Sequence, residues 1–395
     1  MRKFDLIVIG GGISGLSLAH YCAEAGLNSV VMEKDKRVGG ALHSERIARD
    51  FWLELGAHTC YNSYGRLIDL LSGCGLAESV LPREKLRWAI WEDGRPQSIA
   101  SRMHWFELLR SLPRMATMNR QGQSVAAYYS AVLGPRNFTQ AVSPLLNAVV
   151  SQDAGVFPAD LIFKKRPRRK AFQRSFTLPG GLQSLSDALA SAGRFAVEKG
   201  SPARDLIYSR DRWQVTAGDG RRFMAPALAV ATPPAAAARL LSGAVPELAK
   251  LLAGIEEQRF KSVGVVVRGA ALSLPPLAGL AISDRELYSV VSRDVVPHPD
   301  LRGFAFHFRP GVGKKARMAR ITGLLGISEQ NLEHVKDKTN VVPRLRVGHG
   351  ELAAAMDHCL AGRRLALCGN YFGGMALEDC LARSEGEARR LAALL

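Results

Sequence analysis

The chain is poor in the features that define several function classes. Cysteine is scarce: six in 395 residues, none of them in a CxxC pair. Cys22, Cys60, Cys74, Cys359, Cys368 and Cys380 sit in apolar or helical surroundings, which gives neither a disulfide framework nor a zinc site. Reduced packing cysteines in a cytoplasmic protein are the expectation. No apolar run reaches the about 18 residues that a spanning helix needs. Arg2 and Lys3 look like the start of a secretory leader, but the apolar run after them, residues 4–9, is too short for one and ends in glycines. Any membrane contact is therefore expected to be peripheral, on the inner membrane. Acidic residues are also short: Asp and Glu total 36 against 53 Lys and Arg, for a formal charge of +17. That excess suits an anionic partner, although a soluble basic surface needs none. No internal repeat, long linker, Ser/His/Asp set, paired carboxylate site or metal-ligand cluster stands out.

What remains is an ordinary globular composition, 47% hydrophobic and 23% charged, in a chain long enough for two domains. Its most informative stretch is "IVIGGGISGLSLAHYCAEAGLNSVVMEKDKRVGGALHS". A short apolar run rich in β-branched residues predicts a buried parallel strand. The helical spacing of "SGLSLAHYCAEAG" follows, and "SVVM" predicts a second strand. Gly10, Gly12 and Gly15 fit GxGxxG at the first strand-to-helix turn. Gly10 permits the tight turn, Gly12 lets backbone N–H groups approach a pyrophosphate, and Gly15 lets the helix pack on the strand. The helix N-terminus turns its free N–H groups and positive dipole end toward phosphate. Glu33 closes the second strand, where an acid accepts hydrogen bonds from a ribose. This context predicts a dinucleotide site. Arg37, Gly39 and Gly40 add a second close approach of backbone, which a nicotinamide dinucleotide does not require and a longer resident cofactor uses.

The same stretch resembles the N-terminus of the FAD-dependent amine oxidase superfamily. Three further segments are similar to its protoporphyrinogen oxidase branch: "SFTLPGGLQSLSDALA" (175–190), "NVVPRLRVGHGELAAAM" (340–356) and "LALCGNYFGGMALEDCL" (365–381). The resemblance implies an α/β fold: a discontinuous Rossmann-like FAD-binding domain with an inserted β-sheet/helical substrate domain and a helical region of membrane-binding type. The expected division is 1–76, 173–240 and 340–395 for FAD, 77–172 for the helical region, and 241–339 for substrate. The first helix of that region is expected to break near Pro113.

The resemblance also implies flavin contacts at Gly10, Gly11, Gly12, Ile13, Ser14 and Gly15, and at Glu33 and Lys34 for the adenosine ribose. Arg37, Gly39, Gly40 and Ala41 would follow. Gly56, Ala57, His58 and Thr59 would lie near the isoalloxazine. Ala203 falls where a small residue meets the adenine end. Beyond Gly369 and Gly374, Met375, Ala376 and Leu377 would run beside the ribityl chain at a helix N-terminus, where the dipole stabilises a reduced ring.

The chain leaves the branch pattern at "ELGAHTCY" (54–61). Tyr61 replaces an arginine that faces a propionate, and a tyrosine cannot form a charge-assisted bidentate pair. Either another cation does this or the substrate is not a tetrapyrrole. Arg293 is one candidate; as a surface strand residue it needs no role. His58 either orients the ring, acts as an acid or base, or is a packing or hydrogen-bonding histidine.

The resemblance implies dehydrogenation of a small hydrophobic substrate by hydride transfer to flavin N5. The specific form oxidises protoporphyrinogen IX to protoporphyrin IX in tetrapyrrole biosynthesis, with oxygen or a quinone as acceptor. A desaturase or dehydroxylase acting on an isoprenoid, an amine oxidase, and a flavin-binding partner without turnover stay open, as does a homodimer. The stretch "KKRPRRK", from Lys164 to Lys170, carries six positive charges in seven residues. It is a solvated loop or a contact for anionic headgroups. Nucleic acid has little aromatic interleaving to support it.

Overall fold

The computed structural model describes residues 3–395, so Arg2 of the basic N-terminus lies outside the described residues. The first strand, β1 (Leu6–Ile9), is buried along its whole length. Such burial on both faces is what strands inside a parallel sheet show. It pairs in parallel with β2 (Ser29–Met32) on one side and with Ala227–Val230 on the other. Ala196–Glu198 and Leu365–Leu367 complete the five strands at the two edges. The sheet is thus assembled from distant parts of the chain. Helix α1 (Ile13–Glu24) joins β1 to β2 and buries Leu16, Leu18 and Ala19. The closing helix, Leu377–Ala392, crosses it, and Ser384 Oγ donates to the Ser14 carbonyl at 2.8 Å.

A second, seven-stranded sheet holds the other half. Its strands run in the spatial order Leu332–Pro343, Glu257–Arg268, Leu301–Phe308, Leu287–Ser292, Gly279–Ile282, Trp88–Glu92 and Arg95–Ser98. Residues 88–98 therefore depart from the all-helical expectation for 77–172. Asp93 and Gly94 both take positive φ, +52° and +74°, and close a hairpin between two strands. That is the two-residue turn which matches strand twist. Pro113 does not break its helix, which runs on through Trp105–Thr117. Proline removes the bond to the Leu109 carbonyl. Both residues are exposed here, so water can meet the freed oxygen. The helical pieces from Val125 to Leu161 pack on the parallel sheet through Val125, Tyr128, Val132 and Phe157, which share a core with Ile7 and Ile9.

No helix of the described residues is long and apolar enough to cross a membrane. Three charges of the basic stretch are spent within the fold. Lys164 and Arg166 both reach Asp379, and Lys164 also donates to the Gly373 carbonyl. Arg169 pairs with Asp69 at 2.6 Å. The stretch is a strap over the start of the closing helix.

Candidate functional site

The glycine turn is built as a cradle. Gly10 has φ +110°, and a Cβ there would sit 2.6 Å from the Ala231 carbonyl oxygen. A Cβ on Gly15 would overlap the Gly10 carbonyl, so helix and strand can meet this closely only without a side chain. Gly12 is the N-cap of α1 and supplies no capping side chain, so Ile13 and Ser14 open the helix with free N–H groups. Gly12 forms a parallel bridge to Gly39, and its only near neighbour on the side-chain side is the Gly40 Cα at 3.9 Å. Two strips of bare backbone therefore face each other at the positive end of a helix.

Glu33 is buried at one end of this cradle. Its Oε2 accepts the Gly11 N–H at 2.7 Å and its Oε1 accepts the Asp35 N–H at 2.8 Å. The Ser201 N–H donates to the Glu33 carbonyl, and the buried Ser201 Oγ has no protein partner. Ala203 starts the strand that leaves this corner, Ala203–Ser209. Lys34 and Ala41 are exposed. Arg37 donates to the carbonyls of Val38, Gly40 and Leu42 and to Gln183 Oε1, so it sets the shape of the loop that carries Gly39 and Gly40. That loop touches the next segment: the Ala57 N–H donates to the Ala41 carbonyl at 3.1 Å. Gly56 is pressed against the same carbonyl. A continuous track of backbone thus runs from Glu33, past Gly12 and Gly40, to Ala57 and His58. The uncapped helix end, the bare backbone, the orphaned Ser201 hydroxyl and the length of the track fit FAD. At the far side, Gly369, Gly374, Met375 and Ala376 lead into the closing helix at Leu377. His349 Nε2 bonds the Tyr371 carbonyl at 2.6 Å and ties this turn to the 340–356 segment.

Beyond the track the site changes character. His58 Nε2 lies 2.9 Å from His307 Nε2, and His307 Nδ1 lies 2.8 Å from Ser262 Oγ. Asn340 Nδ2 donates to Ser262 Oγ at 2.7 Å and to the Leu55 carbonyl at 2.8 Å. Burial pushes His307 down to about 4 and lowers His58 as well, helped by the cations around it. Both rings are neutral at pH 7, one donating Nε2–H to the other. His58 is therefore a hydrogen-bonded member of a relay, and His307, its essential partner, was not foreseen in "GFAFHF".

Lys338 was not foreseen either. Its Nζ donates to the Gly40 carbonyl at 3.1 Å and approaches Gly56. Burial, then the Arg37 charge, lowers its pKa to about 7. The cause of both omissions is register. Ser262 stands opposite His307 on one side and opposite Lys338 on the other. Residues directly opposite share a face, so three strands far apart in sequence bring these side chains into one row. Alternating charges in "EHVKDKTN" read as a solvent-facing strand.

A narrow cleft of about 30 Å³ adjoins His58 and is lined in part by Trp52, Glu54, Arg83, Arg293 and Val295. Glu54 accepts from Ser44 Oγ at 2.7 Å and from the Leu182 N–H at 2.8 Å, yet burial raises it to about 7. Arg83 donates to Thr59 Oγ1 and lies within electrostatic reach of Tyr61, Cys60 and Glu54. Tyr61 itself is exposed and packs edge-on against Tyr64 at 5.5 Å. Arg293, read as a candidate surface residue, is only 9% exposed. Among the described residues no group of three or more metal-ligating side chains is gathered.

Residues 13–268, well over half of the chain, match the profile of the flavin containing amine oxidoreductase family. A flavin-containing amine oxidase of Danio rerio is 38% identical over 75 residues, 19% of this chain and 14% of that protein. The match thus spans about a seventh of that relative's length. In solved structures, a protein of Exiguobacterium sp. 255-15 provisionally named protoporphyrinogen oxidase superposes with a TM-score of 0.82 at 18% identity, covering 100% of both chains. Reduced UDP-galactopyranose mutase superposes with a TM-score of 0.76 at 14% identity, covering 100% of this chain and 96% of that one. At such identities these two likenesses carry the fold alone. With the backbone track already described, which fits FAD, the profile match gives the lineage: the chain belongs to the flavin containing amine oxidoreductase family.

Proposed function

We propose that this chain dehydrogenates a hydrophobic, membrane-partitioned substrate, and that the substrate is protoporphyrinogen IX. Bound FAD supplies the hydride acceptor at N5, and oxygen or a respiratory quinone takes the electrons onward. The observation that carries the reading is the outer face of the Trp105–Thr117 helix. Trp105, Phe106, Leu109 and Leu112 are 59%, 80%, 64% and 44% exposed and share one face at helical spacing. Arg110 and Arg114, both exposed, flank that face. An apolar stripe bordered by arginines suits the surface of an anionic bilayer, where a substrate dissolved in lipid is reached. This helix is a better contact than residues 164–170, half of whose charges are paired.

The site residues contribute positioning and dryness. Burial keeps His58 and His307 neutral, and one Nε2 of the pair holds a proton within the relay. Lys338 places a cation, or its neutral amine above about pH 7, against the Gly40 and Gly56 backbone. The 0.82 superposition on the Exiguobacterium protein over both full lengths supports this reading. Amine oxidation is the second reading, favoured by the stretch shared with the Danio rerio enzyme. Anaerobic mixing decides. Protoporphyrinogen IX should bleach the flavin within seconds and yield porphyrin fluorescence. Bleaching by primary amines or isoprenoid lipids, with none by protoporphyrinogen, would overturn the assignment.

A further inference from the structure

Arg293 is a buried cation with no ion pair among the described residues. Its Nε and Nη1 have no hydrogen-bond partner, and its Nη2 donates only to the Asp50 carbonyl at 3.2 Å. The guanidinium carbon lies over the Trp52 ring at 4.2 Å and the Phe51 ring at 5.1 Å, contacts that leave those N–H groups without an acceptor. The acids nearby are all committed elsewhere. Asp294 is held by Arg302 at 2.6 and 2.9 Å. The Asp50 carboxylate is exposed and lies 3.7 Å from His298. Glu54 is engaged by Ser44 and Leu182. A guanidinium withdrawn from water with two donor groups idle is costly unless a ligand brings the missing acceptor. A second arginine lines the same cleft: Arg83, anchored through one nitrogen to Thr59, beside Tyr61 where the branch arginine is missing.

We propose that Arg293 and Arg83 form a carboxylate-binding subsite in the cleft beside His58, so that the substrate is a hydrophobic acid anchored there. The inference rests on the reading of this cleft as the substrate site, but not on the substrate being a porphyrinogen. Arginine's planar fork matches a carboxylate bidentately, and a guanidinium already held over two rings and dehydrated loses little freedom on binding. Two cations facing Glu54, which burial raises to about 7, also repel an ammonium group.

The test uses the FAD-loaded full chain and three probes of equal length: decanoate, decanamide and decylamine. Binding is read by calorimetry and by the shift of the flavin absorbance. Decanoate should bind about tenfold or more tighter than decanamide, the size of one charge-assisted hydrogen bond. Decylamine should bind worst. Arg293→Gln should erase the preference for the acid while leaving the amide affinity in place, which also shows that the variant is folded. Arg83→Gln should weaken it, and Arg293→Lys should restore part of it. Equal binding of acid and amide, tighter binding of the amine, absence of decanoate binding, or an unchanged preference in Arg293→Gln each overturns the subsite. If decanoate is preferred while protoporphyrinogen leaves the flavin oxidised, the porphyrinogen reading falls and the subsite stands. The reverse pair of results removes the subsite alone.

Discussion

The two ends of the site are built by opposite rules. At the dinucleotide end the working groups are backbone: the free N–H groups of α1, bare glycines at 12 and 40, and one buried acid, Glu33. At the substrate end they are side chains, and several are charged groups held away from water: Lys338, Arg83, Arg293 and Glu54. The first end lies within one βαβ unit, so a local substitution strikes it directly. The second depends on strands brought together from residues 52–61, 257–268, 301–308 and 332–343. Its tuning is electrostatic, so its weak points show in pH dependence before they show in the fold.

The largest effect is expected at the backbone end. Gly15→Val places a branched side chain where even a Cβ overlaps the Gly10 carbonyl. FAD affinity should fall by more than about a hundredfold, ~3 kcal/mol or more. Equilibrium dialysis with free FAD checks this; a variant that still purifies yellow would mean that the turn relaxes without cost.

Next come the buried charges. Lys338 has a folded pKa of about 7, below the 10.5 of the free side chain. Between those values the unfolded chain holds a proton that the folded chain has released, so this group's penalty is full below pH 7 and is relieved as pH rises toward 10.5. Lys338→Met should therefore stabilise FAD-free protein most near pH ~6, with the gain shrinking by pH ~9. Glu54 has the opposite slope. Its pKa is raised from 4.5 to about 7, so the folded state keeps a proton that the unfolded state has lost, and its contribution declines across that window. Glu54→Gln should flatten the decline. Thermal melts across the range test both, and parallel wild-type and variant curves would show that neither group is perturbed.

A smaller effect belongs to the histidine relay. His307→Phe fits the volume but removes the ring partner of His58 and leaves Ser262 Oγ with only its bond from Asn340, at a cost of about 1–3 kcal/mol. Combined with Ser262→Ala the loss should be less than additive, because both substitutions break one network. Urea titration of the two singles and the double measures the coupling; strict additivity would dissolve the relay into two unrelated contacts.

This contrast also explains what the sequence made legible. The glycine turn, Glu33 and the closing helix were readable because each rests on spacing within a short segment: strand, turn, helix, acid. Residues 88–98 read as part of a helical region because "WAIWEDGRPQS" is short, and only its Asp93–Gly94 turn signals the hairpin. His307, Lys338 and Arg83 were invisible for a deeper reason. A lysine between Asp337 and Thr339, or a histidine between two phenylalanines, acquires meaning only from the residue opposite it in the sheet. Arg293 was noticed, but its burial was not, because the Phe51 and Trp52 rings that cover it come from residues more than two hundred positions away.

The smallest effect on the isolated protein, and the most discriminating one for its surroundings, lies on the Trp105–Thr117 helix. Trp105, Phe106, Leu109 and Leu112 are exposed, so replacing all four by serine removes little packing; each exposed change should cost within about 0.5 kcal/mol. Serine lowers helix propensity slightly, and Glu107, whose carboxylate accepts the Arg136 and Asn137 N–H groups, remains to tie the helix to its neighbours. FAD content and melting temperature should therefore be nearly unchanged. Sedimentation with anionic vesicles should fall sharply, because apolar area and basic charge act together at a membrane surface. Neutralising Lys165, Arg168 and Lys170 instead, the three basic residues of the 164–170 strap outside its ion pairs, should reduce sedimentation less. If the strap variant loses binding and the helix variant keeps it, the electrostatic strap is the contact and the apolar face serves something other than lipid.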